Sequence, residues 1–283
     1  MLMIRSILSY GKKLILHPKR EGKRLWFNLY NRRTPPHDII CQGNDFSLKL
    51  KSDSVLAEPL FLGDGFEESE LRLLRNILQP GMKVFDIGAN IGLYSIISGK
   101  AVGQNGHVWS FEPFPPIAEY LRQNVMMNNL SNVTVIQKAV SDTKGISDFH
   151  VFPDGSDVYN SLGAEERPVE KLHSVKKISV EVTTLDSFAK EAGIEKADIL
   201  KIDVEGNEER VLTGAEQLIR NSPDVNIIME LYEPAAKQCG CSSERLITML
   251  AGWGLGMYQI SPSGKIIPTT YSTLSGVYAL FRR

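Results

Sequence analysis

Cysteine is scarce in this chain, long apolar runs are missing and the net charge is close to zero; each shortage excludes something. Three cysteines in 283 residues, Cys41 and the pair Cys239 and Cys241, cannot build a disulfide framework. No second ligand pair stands at zinc spacing, so the thiols are read as small reduced side chains. The odd count, with no secretory leader in view, leads us to expect a cytoplasmic protein. No stretch approaches the ~18–20 apolar residues that cross a bilayer. The opening MLMIRSILSYGKKLILHPKR is broken by Lys12 and Lys13 and precedes no small-residue cleavage site, so it is not expected to act as a signal sequence. Repeats and low-complexity tracts are also absent. With 42% hydrophobic residues, 8% aromatics and a net charge of −1, the composition suits a globular core that needs no covalent staples.

The near-zero total hides an uneven distribution. Nine of the 32 Lys and Arg but only one of the 33 acids, Glu21, fall in residues 1–33, so that segment carries +8 and the remainder −9. Leu2, Ile4, Ile7, Leu8, Leu14, Ile15, Leu16, Leu25, Trp26, Phe27 and Leu29 are interleaved with those cations. The pattern suits a helix packed on its own domain with a solvated basic face, or one lying peripherally on an anionic membrane surface. Nucleic acid is not expected as a partner, because a −9 body repels a phosphate backbone.

Thr34-Pro35-Pro36 ends the first helical region, since proline lacks an amide donor and restricts its predecessor. Residues 1–36 are therefore read as a basic amphipathic extension. Residues 37–80 form a lead-in of strand-like segments followed by an amphipathic helix over FEESELRLLRNIL, with Leu71, Leu74, Ile77 and Leu78 inward. From 81 to 283, strand-length apolar runs at 82–87, 108–111, 133–140, 199–204 and 225–231 alternate with helical patterns at 91–101, 117–128, 208–220 and 243–251. An insertion at 145–183 breaks this rhythm; it is expected to hold antiparallel strands around a polar loop with Tyr159, Asn160 and Ser161. Strands near 257–260 and 277–281 predict an antiparallel pair at one edge. The alternation means crossover connections and a mostly parallel sheet with helices on both faces, an α/β fold.

The strongest local signal is Val84-Phe85-Asp86-Ile87-Gly88-Ala89-Asn90-Ile91-Gly92, where a strand hands over to a helix. Gly88 and Gly92 are read as removing side chains that would block a ligand, and the helix N-terminus as offering amide donors. Glu112 follows 26 positions after Asp86, at the end of the next strand, where a carboxylate takes both hydroxyls of a ribose. A dinucleotide site wants a second glycine where Asn90 stands. An acid before the first glycine also suits the cationic amino group of S-adenosylmethionine better than a diphosphate.

At this point the chain resembles a family. VFDIGANIGLYS, the FEP after it, KAVSD at 138–142, TTLDSF at 183–188 and above all LKIDVEGNEERVLTGAEQLI at 200–219 look like the FkbM-type S-adenosylmethionine-dependent methyltransferases, over roughly residues 62–283. The resemblance implies the Rossmann-like class I methyltransferase fold, with a seven-stranded, mostly parallel sheet and an antiparallel edge strand. It implies transfer of a methyl group to a hydroxyl oxygen of a sugar, glycan or related small molecule. It also implies cofactor contacts at Ala139 and Val140 against the adenine, with Pro113 and Asp142 nearby, and at Glu67 or Glu68 near the methionine end, for which a plain helix N-terminal acid is the other reading. Tyr94, opening the helix after the turn, is read as a contact to cofactor or substrate, or as packing.

Lys201, Asp203 and Glu205 alternate two apart and share one face if the strand continues. A lysine in a buried strand asks for a partner, and Asp203 or Glu230 is expected to supply it. The bland reading is a buried ion pair bracing the sheet. The functional one is a general base for an alcohol, Asp203 first and Glu205 second. Tyr159, Asn160, Ser161 and Glu230 are the candidate acceptor contacts, with Trp253 or Tyr159 near the cleft. A divalent metal held by Asp203, Glu230 and Glu233 is a weaker expectation, and hard oxygen ligands would favour magnesium. The five histidines show no paired spacing and receive no role, although His150 and His173 lie in the insertion. A nicotinamide-dependent oxidoreductase is the alternative that Asn90 argues against. A noncatalytic S-adenosylmethionine-binding partner is the alternative that the retained Lys201, Asp203 and Glu205 argue against.

Overall fold

Strand-length apolar runs become strands, and the segments between them cross back as helices, in a computed structural model that describes residues 18–63, 66–152, 160–162, 175–274 and 278–283. Helix α1 (Pro18–Arg33) leads into a hairpin of β1 (Asp38–Gln42) and β2 (Ser47–Lys51), then α2 (Ala57–Leu62) and α3 (Glu68–Ile77). The alternating part follows with β3 (Lys83–Ile87), α4 (Leu93–Val102), β4 (His107–Phe111), α5 (Pro115–Met127) and β5 (Val133–Ile136). The insertion holds β6 (Ala139–Val140), β7 (Gly145–Val151) and β8 (Lys176–Thr183). After it come α6 (Leu185–Glu191), β9 (Ile199–Ile202), α7 (Glu208–Thr213), α8 (Glu216–Arg220), β10 (Asn226–Glu230), α9 (Glu233–Gln238), α10 (Ser243–Gly252), β11 (Gly256–Ile260), β12 (Ile266–Pro268) and β13 (Tyr278–Arg282).

The main sheet has the order β12-β11-β13-β10-β9-β3-β4-β5. Strands β10, β9, β3, β4 and β5 are parallel, and β13 runs antiparallel between β10 and β11. This is the doubly wound arrangement of the class I methyltransferase fold, with an eighth strand added. The expected antiparallel pairing of 256–260 with 278–282 is present, but β13 is an interior strand and the antiparallel edge strand is β12.

Successive strand residues point to opposite faces, and two cores result. Val84, Ile199, Ile228 and Leu280 pack on one face with Leu74, Ile96 and Leu121. Phe85, Leu200, Ile227 and Phe281 pack on the other with Leu185, Val211 and Leu250. The lead-in belongs to the first core: Leu48 and Leu50 are buried in it, and Asn124 of α5 and Asn128 at its C-terminal cap hydrogen-bond the backbone of Lys49 and Ser47.

Three expected elements differ. The run 133–140 splits after Ile136, and Ala139–Val140 joins β8 and β7 in a separate three-stranded sheet. The helix expected over 208–220 is interrupted at Gly214, where a Cβ would come within 2.0 Å of the Ser141 carbonyl oxygen. It restarts where Asp186 accepts the amides of Gln217 and Leu218. Asp186 belongs to α6, a helix that follows the Thr184 cap, whose side chain accepts the Ser187 amide, and that the alternation alone did not reveal.

Candidate active site

Parallel strands with crossover helices leave a crevice beyond their carboxyl ends. A cavity of about 400 Å³ lies there, walled at the end of β3 by Ile87 and Gly88, at the end of β4 by Phe111 and Glu112, at the end of β9 by Lys201 and Asp203, and at the end of β10 by Glu230. The turn Gly88-Ala89-Asn90 runs across it and separates two poles.

On the β4 side the wall is Pro113, Ala139, Val140, Phe149, Asn160 and Leu162. Phe149 packs with Ala139, Phe114 and Leu162. Glu112 accepts the Asn90 amide at 3.1 Å and the Phe114 amide at 2.9 Å, which holds its carboxylate at the mouth of the turn. Asn160 accepts the Phe152 amide through Oδ1, while its Nδ2 is buried without a hydrogen-bond partner among the described residues.

The other pole is a polar network. Lys201 is the register neighbour of Asp86, and both project to the face that α4 covers. Lys201 Nζ lies 2.7 Å from Asp203 Oδ2 and 4.8 Å from the Tyr94 ring centroid. Tyr278 reaches Asp203 Oδ2 at 2.7 Å and Glu67 Oε1 at 3.0 Å, and Tyr94 donates to Glu67 Oε2 at 2.6 Å. Burial pushes the Glu67 carboxyl up, against the pull of Lys201. Burial alone would push Lys201 down, but Asp203, Asp86 and Glu67 outweigh it and hold the ammonium charged.

The turn carrying Asp203 and Glu205 is shaped by Glu208, whose Oε1 accepts the Val204 and Gly206 amides. Glu205 itself is left-handed at φ 59°, and the other non-glycine residues with positive φ on this wall are Glu67 at 48° and Asn90 at 49°. Such backbone costs free energy and collects at functional sites. Glu205, Asp203 and Glu230 each place a carboxylate oxygen within 4.8 Å of the others. Burial first, then Asp203, Glu205 and Glu208, push Glu230 up to about 10. Five carboxyl groups, Glu67, Glu112, Asp203, Glu205 and Glu230, thus share the wall with two lysines. One of these, Lys138, pairs with Glu181. The arrangement can hold a cation.

The wall brings together Lys201, Asp203, Glu205, Glu230, Glu67, Gly88, Ala89, Asn90, Tyr94, Glu112, Pro113, Ala139, Val140, Asn160 and Ser161 as the sequence predicted. Several expectations need correction. Asp86 is 1% exposed and sits behind the wall, where Ser95 donates to its Oδ2 and its Oδ1 is buried without a partner among the described residues. Asp142 is exposed, accepts from Ser141 and lies off the wall. Gly92 is also off the wall. A Cβ on Gly92 would meet Leu121 Cδ1 at 2.3 Å, and one on Gly88 would meet the Asp203 carbonyl oxygen at 1.8 Å. Neighbouring protein, more than a ligand, demands these glycines. Glu233 accepts the Ser243 amide at the start of α10 and is not in the carboxylate cluster. Glu68 forms an exposed pair with Arg72, and Trp253 is buried in the second core. Lys201, Asp203 and Glu205 meet through a turn, since β9 stops at Ile202. Asn160 and Ser161 stand at the β4 pole, across the glycine turn from Asp203. Tyr159 and His173 lie outside the described residues. His150 is buried, and its backbone bridges to Ser161.

Sequence reasoning missed Tyr278, Phe66, Val55 and Leu56, all on the wall. Only Tyr278 left a signal: alternation in the last strand puts it on the face of Leu280 and Lys201, with Glu230 opposite in register.

Residues 86–254 match the family described as methyltransferase FkbM domain. The methyltransferase sdnD of Sordaria araneosa is 30% identical, over 54% of this chain and 67% of its own length. The 2-O-methyltransferase NoeI of Sinorhizobium fredii is 29% identical, over 53% and 66%. The 31-O-demethyl-FK506 methyltransferase FkbM of Streptomyces tacrolimicus is 32% identical, over 49% and 61%. The chain thus spans about two thirds of the length of these curated relatives.

Proposed function

We propose, on the footing that the chain belongs to the FkbM methyltransferase family, that it transfers a methyl group from S-adenosylmethionine to a hydroxyl oxygen of a sugar, glycan or related small molecule. A nicotinamide-dependent oxidoreductase is set aside by that membership. The observation carrying the reading is an acid-rich pole beside the glycine turn, where Glu67, Asp203, Glu205 and Glu230 share the wall with the single lysine Lys201. A ligand with a net positive charge fits such a wall, and a dinucleotide diphosphate does not.

Glu112 would take the ribose hydroxyls, and Ala139, Val140, Phe149 and Asn160 the base. Glu67 and Tyr94 would border the methionine end. S-adenosylmethionine, when bound, supplies a methyl carbon activated by a cationic sulfur. The chain's own work is to hold the acceptor oxygen and take its proton. Asp203 receives both of its protein donors on Oδ2, so Oδ1 remains for the acceptor hydroxyl. Lys201 and Tyr278 fix the carboxylate in place, and Glu205 and Glu230 flank it. The names of two relatives support oxygen as the methylated atom.

Calorimetric titration with S-adenosylmethionine, S-adenosylhomocysteine and NADH tests the cofactor: micromolar binding of the first two alone is expected, and binding of NADH alone would overturn the reading. With labelled cofactor and a panel of sugars and glycans, Asp203→Asn should bind cofactor normally and lose about 100-fold or more in turnover. Full turnover would remove Asp203 as the base.

A further inference from the structure

We propose that the outward face of α1 docks the protein on an anionic lipid bilayer. The helix meets the body through Phe27, which packs on Phe61 with ring centroids 4.9 Å apart, Arg24, which pairs with Glu58 at 2.6 Å, Asn31, which donates to the Ser52 carbonyl at 2.8 Å, and one ring face of Trp26. These contacts fix which side faces out. At 100° per residue, Gly22, Leu25, Trp26 and Leu29 fall on the opposite side, and all four are exposed; Lys23, also exposed, stands at the flank next to Phe27. Trp26 is 56% exposed, with one ring face stacked on Phe61, and Leu25 and Leu29 are each 44% exposed.

This is a concentration of apolar surface. Of the ten large hydrophobic side chains exposed among the described residues, three lie on this one face of a single helix: Leu25, Trp26 and Leu29. A monomer has no internal use for such a cluster.

Charge selects the occupant. Helix α1 (Pro18–Arg33) carries six Lys and Arg against one acid, +5, and residues 34–283 carry −9. A second copy seated on this face by two-fold symmetry would set +5 against +5. A nucleic acid would meet the −9 body and leaves Trp26 and the leucines without purpose. An anionic bilayer accepts both features: headgroups neutralise the cations while Trp26, Leu25 and Leu29 enter the interface. The same separation orients the protein, since the surface repels the body it does not touch. No helix among the described residues is long and apolar enough to cross a membrane, so the contact is peripheral.

The test uses the full chain and vesicles of phosphatidylcholine, alone or with about one third phosphatidylglycerol. Sedimentation should carry the protein down with the anionic vesicles only, and less so as salt is raised. Trp26→Ala with Leu29→Ala should reduce the partition coefficient about tenfold or more while circular dichroism stays unchanged. Alanine favours helix and Leu29 points outward, while Trp26 gives up only the stack of one ring face on Phe61, so folding should be retained; Lys23→Glu offers a second, charge-only variant with the same expected direction. Equal pelleting with both vesicle types, no pelleting, or unchanged partition of the variants would overturn the proposal. So would a concentration-dependent dimer in sedimentation velocity that the double variant abolishes, which would make a second copy the occupant.

Discussion

Replacing Glu230 by glutamine should stabilise the ligand-free protein, and increasingly so as pH rises. Burial, followed by Asp203, Glu205 and Glu208, pushes this carboxyl from its ordinary 4.5 to about 10. Between those values the folded protein holds a proton that the unfolded chain has released. Stability from this group is therefore fully present below pH 4.5 and falls as pH climbs toward the folded value, by about 1.4 kcal/mol per pH unit. The slope is saturated for any folded value above roughly 9, so it does not depend on the full size of the shift. Glutamine has the shape of the neutral acid and no proton to lose. From about pH 5.5 to about pH 8.5 the advantage of the variant should widen by up to about 4 kcal/mol, less whatever local relaxation returns. The other raised acids, Glu67, Asp86 and Glu208, are common to both proteins and largely cancel in the difference. Urea unfolding followed by circular dichroism, in chelator-containing buffer across that range, measures it. Parallel stability curves for wild type and Glu230→Gln would refute the claim that the acidic pole stores a proton in place of a cation.

Tyr278→Phe removes the hydroxyl that reaches Asp203 and Glu67 but keeps the ring. A lost hydrogen bond to a charged group costs about 1.5–3 kcal/mol, so turnover should fall roughly 10- to 100-fold with acceptor KM little changed. Wild-type kcat would show that Tyr278 does not position the base. Gly88→Ala should cost about 3 kcal/mol or more in unfolding free energy, because a left-handed backbone and a 1.8 Å approach to the Asp203 carbonyl coincide there. Gly63→Ala, at φ 70° with nothing within 4 Å, should cost about 1 kcal/mol; equal losses would discard the close approach as the cause. Millimolar magnesium should raise the melting temperature of the wild type and leave Glu230→Gln unmoved; no shift in the wild type would show that the carboxylate cluster does not take this cation.

Much of the architecture was legible along the chain. The runs at 82–87 and 108–111 appear as strands within a residue or two because alternating burial and glycine breaks are local properties. The wall acids Glu112, Asp203, Glu205 and Glu230 were legible for a related reason: a carboxylate just past a parallel strand has nowhere to point but the crevice. What local pattern did not carry was register and capping. The two-residue strand Ala139–Val140 exists because β8 is there to pair with it. Helix α6 owes its position to the cap at Thr184 and to Asp186 binding the start of α8. Gly88 and Gly92 were legible as glycines in a turn, yet the atoms that exclude a Cβ belong to Asp203 and Leu121.

By itself the sequence determined the strand-and-helix order, the glycine turn at the first handover, the acids at the strand ends and the charge division between residues 1–33 and the rest. Each follows from side-chain period, backbone freedom or simple counting. Only the tertiary structure decided that Asp86 lies behind the wall beside Lys201, and that Tyr278 couples Asp203 to Glu67. It also set Asn160 at the pole opposite the base. Those contacts join strands far apart in the chain, and their geometry depends on which strands pair and in what register, which no local period encodes.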